Sequence, residues 1–343
     1  MQSEPESEPE PGPDVEFTVH TPHLNIAPAY DGPLCAGTIA QWEDQAAYLV
    51  DLWDIELPRP IPMYIFMNPD QVNYLDYCDS GGIACYNGPT ASIYTGIESA
   101  PHEIVHAVLA PVGHPTSLMV ESTAEAFAGD TAPRYTGVLT PPNFLLHKSY
   151  DHYHFMRWLA QAFSPATFIE LYAAMPKNAD SVVLNEVLEE ILGLSEEELI
   201  AEYRATAAYV YPGHSMCQSE PLAWQGDGFL DHTITLDCSD INTFGPFHRL
   251  ETMSAKVVVE LSEDASYSFA AEDEEGNEVP LFARRCANSA DFDPEAPAKF
   301  SIFHEVQLFG MSPLAAGPYE IVAKVPLQEG PISVRIFASR LPP

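Results

Sequence analysis

Apolar and polar positions change their rhythm twice along this chain. From Val15, VEFTVHTPHLNIA alternates and predicts a first strand. In TIAQWEDQAAYLVDLW (38–53), Ile39, Trp42, Ala46, Leu49, Val50 and Trp53 fall on one helical stripe. IPMYIFMN (61–68) predicts a buried strand, PDQVNYLDYC a short helix after it, and ASIYTGI (91–97) another strand. Between 144 and 205 the helical spacing dominates. YHFMRWLAQAF, SPATFIELYAAM and SEEELIAEYRATAAY all carry it, with helix starts at Ser164–Pro165 and at Ser195 before three glutamates.

Past residue 212 the rhythm becomes two-residue. TITLDC, AKVVVELS, SYSFAAED, VPLFARRC, FSIFHEVQLF, GPYEIVAKV and ISVRIFAS are short runs separated by Gly, Pro, Asp and Asn. In the last run Ile332, Val334, Ile336 and Ala338 point one way and Ser333, Arg335, Phe337 and Ser339 the other. This texture predicts an antiparallel β-sandwich. A chain of 343 residues exceeds one ordinary core. The expected fold class is α+β: an acidic, disordered Pro/Glu tail over 1–14, a helix-rich domain over 15–212 and a β-sandwich over 213–343.

Charge narrows the partners. Fourteen basic residues against 50 acidic ones give a formal charge of −36. Such a surface repels phosphate backbones and anionic lipid headgroups, opposes self-association and favours cations. The expectation is a monomer that binds no nucleic acid. No run of 18 apolar residues occurs, so no transmembrane segment is expected. Six cysteines without a Cys-x-x-Cys pair fit disulfides formed in an oxidising compartment. Cys78 and Cys85 are near enough to close a short loop, and Cys238 with Cys286 would staple the C-terminal region. The chain reads as an exported protein, whether secreted, periplasmic or lipid-anchored at the cell surface, its signal sequence absent from this stretch.

The candidate chemistry sits at HEIVH (102–106). Helical positions i and i+4 share a face, so His102 and His106 can aim both imidazoles at one ion. Glu103 lies about 100° further round, within reach of a water on that ion. Ser99 is placed to cap this helix, Pro101 falls in its first turn, and Pro111 with Gly113 ends it. SLMVESTAEAFAGD (117–130) then predicts a second helix with Glu121 and Glu125 on one face. A catalytic zinc keeps three protein ligands and an open position, often two histidines and a carboxylate. A further carboxylate can orient a ligating imidazole.

HEIVHAVLA followed by LMVESTAEAF resembles the active-site helices of gluzincin zinc metallopeptidases, the thermolysin and aminopeptidase superfamily, and most of all its peptidase-MA-like bacterial members. Ser122 and Leu118 depart from the family's glycine and tryptophan, at positions away from the metal chemistry. The resemblance implies Zn2+ held by His102, His106 and Glu121, Glu103 as general base and Glu125 behind a histidine. Glu125 has the spacing of the aminopeptidases and is the rival third ligand.

It also implies that Ser92, Ile93, Tyr94 and Thr95 form an edge strand that pairs with an extended peptide. YDHYHFMRWLAQAF is similar to a helix whose start carries an oxyanion donor. Tyr150 is the nearest match, with His152, Tyr153 and His154 as competitors. The implied activity is hydrolysis of a peptide or protein substrate by a metal-activated water. The alternative is a catalytically inactive metal-binding or surface-binding protein acting through its β-sandwich.

Overall fold

The computed structural model describes residues 13–66, 77–78, 84–129, 152–208, 211, 213–225, 228–247, 251–286, 306–308, 311–314 and 316–341. The first half runs β1 (Val19–His20), β2 (Leu24–Pro28), α1 (Ala36–Trp53), β3 (Ile61–Ile65), β4 (Cys85–Asn87) and β5 (Ser92–Thr95). Then come α2 (Ala100–Leu109), α3 (Ser117–Phe127), α4 (His152–Ala162), α5 (Pro165–Ala174), α6 (Ser181–Leu192) and α7 (Glu196–Thr206). The fold class is α+β.

The first sheet has the order β1-β2-β3-β5-β4. β2, β3 and β5 are parallel neighbours, while β1 and β4 run antiparallel at its two ends. Parallel pairing of β2 with β3 needs a long crossover, and α1 supplies it. Alternation along the strands divides the faces. Ile26, Met63, Ile65 and Ile93 turn to the helices, and Tyr64 and Tyr94 stack on the opposite face, 5.2 Å between ring centres.

Two strand expectations change. VEFTVHTPHLNIA is a hairpin rather than one strand, because Thr21 receives the turn: its N–H bonds Leu24 O and its hydroxyl accepts from Leu24 N. Ser92, Ile93, Tyr94 and Thr95 are not an edge. β5 pairs β3 on one side and β4 on the other, and all four residues are buried. The outer position belongs to β4, a three-residue strand that folds back antiparallel onto β5. The helix expected over PDQVNYLDYC falls almost wholly outside the described residues.

The second half is β6 (Pro221–Leu222), β7 (Phe229–Leu236), β8 (Thr243–Phe247), β9 (Thr252–Leu261), β10 (Ala265–Asp273), β11 (Leu281–Arg285), β12 (Val306–Gln307), β13 (Met311–Leu314), β14 (Gly317–Pro326) and β15 (Ile332–Arg340). One sheet has the order β13-β10-β15-β7. The other is β12-β11-β14-β9-β6, with β8 also on β9. Val259, Ile321 and Ala323 of the larger sheet share one buried cluster with Phe269, Val334 and Ile336 of the smaller. All pairings here are antiparallel except β6 on β9, which is parallel.

The two halves meet at the start of α1. Cys35 is bonded to Cys238, and Ala36 N–H donates to Cys238 O at 2.8 Å. The Thr38 hydroxyl donates to Gly245 O and accepts from Gly245 N. Gly37 is required by this approach: a Cβ there would lie 2.5 Å from Thr243 O and 2.6 Å from Ile241 O. Beside the contact, Lys256, Arg284 and Lys324 of the large sheet line a cavity of about 270 Å³ that Gln41, Trp42 and Glu98 close from the other half.

The remaining disulfides are Cys78–Cys85, as spacing suggested, and Cys217–Cys286. The expected Cys238–Cys286 pair does not form, because Cys238 is drawn to α1. Cys286 is instead held beside Pro318, and Cys217 beside Glu320, so both cysteines meet at the start of β14. Among the described residues no helix is long and apolar enough to cross a membrane.

Candidate metal centre

α2 is buried on nearly every side. Ile104, Val105, Val108 and Leu109 are enclosed, and only the stripe carrying His102 and His106 opens to a cleft. Pro101 opens the helix as its composition predicts, but Ser99 makes no side-chain cap. A buried amide does the positioning instead. Gln45 of α1 donates to Pro101 O at 2.7 Å and to Phe127 O at 3.2 Å, tying the first turn of α2 to the last turn of α3. α3 starts at Thr116, whose hydroxyl accepts from Met119 N. Trp53 packs edge-on against Phe127 and fixes the far end.

This scaffold brings four of the expected side chains together. His102 Nε2 and His106 Nε2 face each other at 3.0 Å. Glu121 reaches both, with Oε2 3.4 Å from His102 Nε2 and Oε1 3.9 Å from His106 Nε2. Ligand atoms of His102, His106 and Glu121 all lie within 4.8 Å of one another. Glu125 takes the other nitrogen: His102 Nδ1 donates to its Oε2 at 3.0 Å. One carboxylate therefore faces the shared point and the other holds an imidazole from behind.

Glu103 is 5% exposed, in a helix whose histidines open to solvent. One of its oxygens accepts from the backbone N–H of Tyr86 on β4, and Oε2 is buried without a hydrogen-bond partner. Burial, aided by the Glu121 charge and opposed by His102 and the Tyr86 N–H, lifts its pKa to about 7. For His102, burial pulls the value down. Hydrogen bonds to Glu121 and Glu125, with the charges of Glu103 and Glu125, outweigh it and carry the value to about 9. Burial and the charge on His102 push His106 down to about 4. Of the two imidazoles, His102 is therefore the one that carries the charge and His106 the one kept neutral.

The cleft over these groups has a volume of about 440 Å³ and is bounded by Tyr86, His114 and Tyr172 among others. Tyr172 of α5 is 2% exposed, and burial with the Glu121 charge pushes its phenol upward. Composition pointed to neither Tyr86 nor Tyr172. The one available signal for Tyr172 was its place in the helical run SPATFIELYAAM. His114 is exposed on the rim, as its place in the interhelical turn suggested.

Tyr150 lies outside the described residues. Its competitors pack: His152 and His154 are buried, His154 Nδ1 is 2.7 Å from the Tyr203 hydroxyl, and Tyr153 lies against the main core. Compared with known proteins, the chain matches no family model and no curated protein.

The donors fit a zinc ion. Two imidazole nitrogens and a carboxylate point at one place from two rigid helices, and a fixed second carboxylate sets the tautomer of one imidazole. The buried, unpartnered Glu103 Oε2 beside them is a polar atom that needs something to bond to.

Proposed function

We propose that this chain is a gluzincin-like zinc peptidase whose site is carried by residues 15–212, with residues 213–343 forming a β-sandwich attached to it. The convergence of His102, His106 and Glu121 within 4.8 Å, with the unpaired Glu103 Oε2 alongside, carries the reading. The three disulfides favour an oxidising, exported setting.

His102, His106 and Glu121 would hold the zinc, and when bound it supplies a polarised water and a Lewis acid for a carbonyl oxygen. The protein's own part is proton handling. Glu103 Oε2, raised towards neutrality by burial, accepts a proton from water at the cleft floor and returns it to the departing amine. Tyr86 N–H engages the carboxylate from the backbone, which leaves Oε2 as the oxygen without a partner. Glu125 locks the His102 ring. β4, paired on one side only among the described residues, offers backbone groups along which an extended peptide can lie.

The test is hydrolysis of quenched fluorescent peptides by purified protein, with and without a chelator, beside Glu103→Gln. The reading requires activity that chelation removes and zinc restores. It also requires a Glu103→Gln protein that binds one zinc by mass spectrometry yet does not turn over. Full activity in Glu103→Gln would refute it.

A further inference from the structure

The cleft above the histidines does not stop at Gly88. Tyr86, Gly88, Ala110 and His114 also line a second cavity, of about 450 Å³, which adjoins the first beside the turn after β4. Its walls are Pro58, Pro60 and Pro62 from the approach to and start of β3, Pro89 from that turn and Pro111 from the end of α2. Proline rings carry no N–H and have a fixed φ, so the wall is apolar and stiff. Ala91, Ala107 and Ala110 leave its space open.

Arg59 also lines this second cavity, its guanidinium donating to Thr90 O at 3.4 Å while the residue stays exposed. Among the described residues it is the only Lys or Arg lining either cavity, in a chain with 14 basic against 50 acidic residues. Of the two adjoining cavities, one is therefore acidic at Glu103 and Glu121, and the other is walled by prolines and alanines and carries the cation of Arg59.

We propose that this second cavity is a substrate subsite. It receives a large apolar side chain beside the scissile bond and seats a carboxylate, further along the same peptide, at Arg59. The inference rests on the peptidase reading for the word substrate; its binding content does not. A flexible or polar trough would exact ordering and desolvation costs that a preformed apolar wall avoids. Across the two adjoining cavities the carboxylates Glu103 and Glu121 repel an anion, so a cation at Arg59 gives the trough a preferred direction for an acidic group.

The experiment uses peptides that carry Phe, Leu or Ala at one position and end in an acidic side chain with an amidated terminus, a free C-terminal carboxylate, or lysine amide. Cleavage is measured with the zinc-loaded protein and binding with its Glu103→Gln variant, each with and without Arg59→Glu. Phe or Leu should exceed Ala by about tenfold or more. Arg59→Glu should lower the acidic-to-lysine ratio by about five- to tenfold. Comparing the amidated acidic peptide with the free-carboxylate peptide tells which carboxylate is read.

Gly88→Phe is the second variant. A Cβ at Gly88 meets nothing within 4 Å, so the fold tolerates it while the ring narrows the neck and shifts preference to Ala. Cleavage with no Arg59 or Gly88 dependence overturns the subsite and leaves the peptidase intact. Selective binding without any cleavage sustains the subsite and sinks the peptidase. Neither selective binding nor cleavage overturns both.

Discussion

The Gln45 side chain donates a 2.7 Å hydrogen bond to the carbonyl of Pro101, one residue before His102. The same amide nitrogen bonds Phe127 O, so a single fully buried residue spans the ends of both helices that carry the candidate ligands. Gln45→Ala removes this tie and opens a small void. The expected cost is about 1–3 kcal/mol in denaturant unfolding, with a drop in zinc affinity. An unchanged affinity would show that the helix ends hold themselves.

Glu125 touches His102 through the nitrogen that faces away from the shared point. Glu125→Ala should weaken zinc about 10- to 100-fold in competition with a chelating dye, the usual scale for losing an outer partner of a ligating imidazole. Glu121→Ala should do more, because it removes a donor. Equal losses would make Glu125 a ligand in its own right.

In chelated protein the folded His102 keeps its proton to about pH 9, whereas the unfolded chain sheds it near 6.5. Above 6.5 the folded state then binds more protons than the unfolded one, so stability falls as pH rises towards 9. Below 6.5 the depressed His106 makes stability fall on acidification, and the raised Glu103 acts in the opposite sense. Zinc must displace the proton held by His102, so its stabilising effect should grow with pH across 6.5–9. Melting curves at several pH values, with chelator and with zinc, measure both slopes. A flat chelated profile in that window would mean that His102 does not hold its proton above the ordinary histidine range.

Gly37 meets the Thr243 carbonyl with no room for a methyl group. Gly37→Ala should cost about 1–3 kcal/mol, as overpacking against backbone does, and it should do so without touching the metal. Reduced thermal stability with unchanged zinc stoichiometry is the expected pair of results.

Much of the helical part was legible because its signals are local. α1 announces itself through Trp42, Ala46, Leu49 and Trp53, and α7 through the cap at Ser195 before three glutamates, of which Glu198 completes a reciprocal cap. The four residues at the candidate centre were legible for the same reason: spacings of four on two adjacent helices. What was hidden is long-range.

Nothing in CYN (85–87) marks a strand, since three residues show no alternation, yet their pairing with Ser92–Tyr94 moves β5 from the margin to the interior. Cys238 finds Cys35 across 203 residues, a partner no spacing argument reaches. Tyr86 N–H meets Glu103 only because the sheet and α2 are stacked.

The Cys35–Cys238 bridge closes a ring that includes the connection from Thr206 to Pro221. A protease cutting that connection would yield two polypeptides that still travel as one particle, parting only once a reductant opens the crosslink. A nick there would leave the particle whole until it met a reductant.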